Sequence, residues 1–207
     1  MILSPIAPDD IDTVLARYRA TLPETGTVRA VFERIAASLA APGPDEAIRH
    51  RDAVALTNRF GMAPLDEPPE RGFSWDGARV RTVTEPAVLI HEVAHYQLAS
   101  PARRQLPDFG LGAGPETGCV AEADRSRVLG DAAREIEEQM ASLLGVLWEV
   151  ELGHPGIEAF QEQNWLEGAG RAGTARFFAE TLARLINWQV VDAAGRPLET
   201  VRIRPDA

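Results

Sequence analysis

The stretch RVRTVTEPAVLIHEVAHYQLAS, residues 79–100, decides how the rest of the chain is read. Arg79 to Thr84 alternates in polarity and predicts a short strand. Glu85-Pro86 then opens a helix expected to run to about Ala99, where Ser100-Pro101 ends it. Val88, Leu89 and Ala94 give that helix an apolar side. His91 and His95, four residues apart, project from one face and can turn an imidazole nitrogen each to a single ion. Glu92 lies beside His91, within reach of a metal-bound water or a substrate group. With 4 histidines in 207 residues, a His-Glu-x-x-His pattern arises by chance about 0.007 times, so the motif is read as a divalent metal site.

Two histidines do not complete such a site. A metal that does chemistry takes three protein ligands and keeps a position open. The other histidines, His50 and His154, carry no ligand spacing, so a carboxylate is expected. The source is the cluster Glu135, Glu137 and Glu138, at the start of a long helix predicted from Asp131 to Leu152. On a helical wheel, Ile136, Met140, Leu143 and Leu147 centre the core-facing side. Glu138 falls nearly opposite, with Ala141, Ser142 and Gly145. Small residues let helices approach closely, so this stripe is expected to pack on helix 85–99 and aim Glu138 at the metal. Glu135 ranks second, and Glu137, on the apolar side, third. Taken singly, each acid also suits a solvated helix N-terminus.

The remaining chain is mostly helical. Residues 8–20, a segment from Thr27 to Leu39, and a third from Asp45 to Gly61 carry helical spacing. Residues 62–78, rich in proline, glycine and charge, read as a loop and a candidate lid. Pro107 to Gly118 reads as a second, mobile glycine-rich loop over the site. A last helix is expected from about Thr174 to Ile186, then a hairpin in which 188–192 and 200–203 flank residues 193–196. The expected fold is a single α+β domain, 1–207, mostly helical, with the motif helix packed on the glutamate-bearing helix and a small sheet.

Composition narrows the function. Formal net charge is -10, which disfavours a nucleic-acid substrate and suits a basic partner or a neutral small molecule. A single cysteine, Cys119, permits no internal disulfide and has nothing basic beside it, so it reads as incidental. The opening MILSPIAPDD lacks the pattern of a signal peptide, and no run is long enough for a membrane span; a cytoplasmic protein without a membrane partner is expected. Asp108-Phe109-Gly110 is unaccompanied by other kinase motifs, and Gly110 to Gly118 lacks the Lys-Ser/Thr ending of a phosphate loop. Trp75 and Trp165 are expected in packing.

From His91 onward the chain resembles elongation factor P hydroxylase, the bacterial enzyme that hydroxylates a modified lysine on that translation factor. The resemblance is carried by HEVAHYQLASPARRQLPDFG (91–110), by Glu135 and Glu138 three apart, by Gly153-His154-Pro155, by Asn164 with Leu166-Glu167-Gly168, and by Ala175-Arg176-Phe177-Phe178. It covers roughly residues 85–180. It implies a two-histidine, one-carboxylate Fe(II) site on His91, His95 and either Glu138 or Glu135. It further implies Tyr96, Arg103, Arg104 and Asp108 as pocket residues or their supports, and a protein substrate, elongation factor P or another. Tyr96 and Leu111 stand where that family has other aromatics, and residues 1–78 have no counterpart.

The leading expectation is an iron hydroxylase acting on a lysine-type protein side chain, with Glu92 handling a proton. The first rival is a Zn(II) metalloprotease with Glu92 as general base. The second is a non-catalytic metal-binding module.

Overall fold

The computed structural model describes residues 6–39 and 43–206. Its chain contacts divide into two compact units, one formed by 1–43 with 146–197 and the other by 44–145 with 198–207. Helices make up 56% of the chain, and the sheet among the described residues has two strands, so the mostly helical α+β expectation holds. Among the described residues no helix is long and apolar enough to cross a membrane.

The first unit is built on helices α1 (Ile11–Thr21), α2 (Thr27–Ala37), α7 (Gly156–Glu162) and α8 (Ala172–Asn187), together with the last turns of α6 (Asp131–Glu151). Its core is aromatic. Tyr18 stacks on Phe32 at 4.9 Å between ring centroids, and Phe160 and Phe178 meet Tyr18 edge-on. Trp165 stacks on Phe160, as expected for a packing residue. The expected C-terminal hairpin is corrected here. Helix α8 continues to Asn187, and among the described residues the segment 188–203 makes one isolated bridge, between Val191 and Pro197. Pro197 has no N–H to extend that ladder.

The second unit holds α3 (Glu46–Arg59), β1 (Ala63–Leu65), β2 (Arg79–Arg81), α4 (Pro86–Leu98), α5 (Val120–Arg125) and the first turns of α6. Asp45 caps α3 by accepting from the Ile48 amide. Helix α4 is the predicted motif helix, with Pro86 in its first turn. The loop expected over 62–78 is corrected: it contains β1, which pairs in parallel with β2 with Pro64 opposite Val80. Residues 200–203 form no strand. Instead the tail 198–206 lies along α4, where the buried Gln97 side chain donates to the carbonyls of Leu198 and Thr200 and the Arg202 amide donates to Gln97 O. Burying an amide side chain requires such partners, and the tail supplies them.

Candidate metal centre

Helix α4 directs both motif imidazoles the same way, and their Nε2 atoms lie 2.9 Å apart. From α6, Glu138 Oε2 comes within 3.5 Å of His91 Nε2 and 3.3 Å of His95 Nε2. Helix α6 passes close to α4 at Gly145, where a Cβ would sit 3.7 Å from His91 Cα, at ordinary contact distance. Ala141 and Gly145 are buried beside it, so the small-residue stripe faces inward. The wheel's other half needs correction. Ile136 is 39% exposed, because the first two turns of α6 extend past the packed interior. Glu135 is exposed and accepts from Gln139 at 3.4 Å, away from the histidines.

The histidines open on a pocket of about 350 Å³ including its mouth, lined by Ser74, Glu92, Asp108, Phe109 and Thr117, with Leu111 to Pro115 along one rim. The wall is held by a turn in which Asp108 and Phe109 both adopt left-handed backbone, φ 42° and 55°. Such angles are strained for non-glycine residues and persist only where surroundings fix them. Here the Asp108 carboxylate accepts from the Trp75 amide at 3.2 Å and from the Thr117 hydroxyl at 2.6 Å. Phe109 stacks between Trp75 and the His95 ring. The glycine-rich loop is tied down at its far end: Gly118 N–H donates to Gly72 O, and a Cβ on Gly118 would collide with Glu70 O at 1.9 Å. Only glycine fits that crossing.

Tyr96, Arg103 and Arg104 stand behind the wall rather than in the pocket. Arg104 lies over the Tyr96 ring, 5.3 Å from its centroid, and donates to Arg202 O and Ala99 O. Arg103 is buried and forms an ion pair with Glu137. Glu137, third among the candidate ligands on sequence grounds, lies beneath the site with its Oε1 3.7 Å from His95 Nδ1. An acid on the apolar side of α6 was the available signal for such a role. Asp206, Ser74 and Thr117 carried no signal at all, since their neighbours at the site are distant in sequence.

Charge is concentrated at this point. Burial pushes the Glu92 carboxyl up; His95 opposes this, but Asp108, Glu138 and Glu116 reinforce it, and the group reaches about 8. Burial disfavours a charged His95, yet Glu138, Glu137 and Glu92 outweigh it and push the imidazole up to about 10. Burial and the neighbouring His95 both hold His91 below its ordinary value. Glu138 is raised by burial, but His95 and His91 overcome this and keep it well below the usual carboxylate range.

These features fit a divalent cation. Ions bound by His and carboxylate at about 2.0–2.2 Å need donors roughly 3–3.5 Å apart, the spacing found here. His91 Nδ1, His95 Nδ1 and Glu137 Oε1 are buried without hydrogen-bond partners among the described residues, an arrangement a cation on the Nε2 side would organise. Among the described residues, His91, His95 and Glu138 form a group that could hold an ion. No protein-family model, curated protein or solved structure matches this chain.

Proposed function

We propose that the chain is a metal-dependent hydroxylase, similar to elongation factor P hydroxylase, that binds Fe(II) through His91, His95 and Glu138 and oxidises a lysine-type side chain of a protein substrate in the cytoplasm. The observation that carries this reading is the donor set itself: two imidazole nitrogens and one carboxylate oxygen converging at an open-mouthed pocket. Two histidines and one carboxylate on one side of an ion leave positions for O₂ and substrate, the arrangement of non-haem iron oxygenases. One oxygen atom of O₂ enters a C–H bond, the other leaves as water, and two electrons come from an external reductant.

The chain's own residues supply the rest. Asp108, Glu138 and Glu116 place negative charge around Glu92, which favours a cationic side chain over an acidic one. The net charge of -10 supports a basic protein surface around that side chain. Glu92, pushed up to about 8, can hold a proton near neutral pH and pass it to a group in the pocket. Phe109 and Leu111, both buried, keep one side of the pocket dry.

The rival reading is zinc-dependent peptide hydrolysis, and the position of Glu92 beside the histidines is the observation in its favour. Against it stands the strand that leads into α4. Val80 is paired with Pro64 on one side and bridged to Trp75 on the other, so β2 offers no free edge to an extended peptide. The test is incubation of anaerobically Fe(II)-loaded protein with O₂, a reductant and the host's elongation factor P, read by intact mass. A gain of one oxygen atom supports the proposal. One zinc per chain, with casein cleavage abolished by Glu92→Gln, overturns it.

A further inference from the structure

We propose that Glu137 is a positioning residue that fixes which nitrogen of His95 faces the metal, and that Arg103 and Asp206 hold Glu137 in place. The inference rests on the metal centre of the preceding reading but not on its reaction.

Helix α6 meets the His95 ring at both ends. Glu138 lies by Nε2 at 3.3 Å, and the adjacent Glu137 lies by Nδ1 at 3.7 Å. The second distance exceeds a hydrogen bond, yet neither atom has another partner, and both are buried. A neutral imidazole carries one N–H and one lone pair. With the carboxylate of Glu137 facing Nδ1, the proton belongs there, and the Nε2 lone pair is left for an ion. A modest rotation closes the Nδ1–H···Oε1 contact once Nε2 is fixed.

Glu137 itself is only 4% exposed, and a buried carboxylate requires polar partners. Arg103, 2% exposed, is one, through Nη2 on Glu137 Oε2. The same guanidinium donates Nη1–H to Phe109 O at 3.2 Å and Nε–H to Asp206 Oδ2 at 3.2 Å. Asp206 in turn accepts from Arg202 Nη1 at 2.8 Å. Charges thus alternate from His95 through Glu137 and Arg103 to Asp206, and the Phe109 backbone that the chain grips carries the ring stacked on His95. His91 has no equivalent: its Nδ1 lacks a partner. The centre is therefore braced on one histidine.

The rival explanation is a buried ion pair that serves the fold alone. Two readouts separate them, both with Zn(II) as the probe. In the zinc-loaded wild type, ¹⁵N-histidine NMR is expected to show His95 with a proton on Nδ1, shifted downfield by its carboxylate partner. Zinc competition against a chromophoric chelator is expected to show a 10–100-fold loss of affinity in Glu137→Gln, with the metal-free protein still folded. Affinity within twofold of wild type in that variant overturns the proposal, and so does a proton on Nε2 of His95 in the wild type. The NMR measurement needs no variant, so misfolding of Glu137→Gln leaves the proposal exposed to refutation. A wild type that binds no zinc overturns the metal centre as well, an outcome distinct from equal binding by variant and wild type.

Discussion

Glutamates of helix α6 meet histidines at two places, one in each unit, and the two groups are built differently. Near its C-terminal end, Glu149 Oε2 lies 2.6 Å from His154 Nδ1, five residues on, and both side chains are buried. One ring nitrogen meets one carboxylate oxygen over a short loop. Near its other end, Glu138 meets His91 and His95 across more than forty residues, and two Nε2 atoms face one another 2.9 Å apart. Two imidazoles and one carboxylate converge there within 3.5 Å of one another. A one-to-one pair serves the fold; a convergence of two imidazoles and a carboxylate could hold a cation. The residue types are the same, and the stoichiometry and the span of chain set them apart.

The largest expected effect breaks the comparison at the convergent group. His95→Ala is expected to abolish zinc binding, and with it the stabilisation that zinc gives the wild type, about 2.7 kcal/mol at 100 times Kd. Thermal melts with and without zinc check this; equal zinc-induced shifts in both proteins contradict it. Next comes the matched pair. His154→Ala is expected to cost about 3 kcal/mol, or roughly 6–12 °C in Tm, by leaving Glu149 buried without its close donor. Zinc stoichiometry should be unchanged, and a loss of zinc in this variant removes the distinction drawn here.

A smaller effect concerns the brace behind His95. Burial raises the Asp206 carboxyl, but Ser100, Arg103 and Arg202 outweigh it and hold the group below its ordinary value. A depressed carboxylate contributes stability that is fully present above the unfolded value of about 3.9 and lost as pH falls through the folded one. Asp206→Asn should therefore be less stable than wild type at pH 7, with the gap closing below about pH 4. Denaturant melts across that range check it; a gap independent of pH contradicts it. The smallest effect is at Gly145. Its Cβ position lies at ordinary contact distance from His91. Gly145→Ala should leave zinc affinity unchanged and add up to about 1 kcal/mol of helix stability. Gly145→Leu should push the helices apart and weaken zinc binding.

The histidine-bearing helix and its glutamate partner were legible because each rests on a short-range pattern. The i, i+4 histidines of α4 and the face shared by Glu138, Ala141, Ser142 and Gly145 are properties of single helices, readable without knowing the fold. The same wheel misjudged Ile136, since periodicity says which face is apolar but not where along a helix the packing stops. Strand β1 was hidden because it is three residues long and contains Pro64, which argues against a strand on local grounds. The run 200–203 misled in the opposite direction: its alternation suits a strand, but Gln97 and Arg104 capture its carbonyls first. Glu137 stood out as an acid on the apolar side of α6, but its pairing with His95 and Arg103, like that of Asp206 with Arg103, escaped, because ion pairs of that span leave no sequence period.

The claim that His91, His95 and Glu138 form a metal centre is tested most directly by metal analysis of purified, dialysed protein beside its Glu138→Ala variant, each reconstituted anaerobically with Fe(II). One ion per wild-type chain and a loss of most of it in the variant is the result the account predicts. A wild type that retains no metal, or a Glu138→Ala protein that retains the full equivalent, would contradict it.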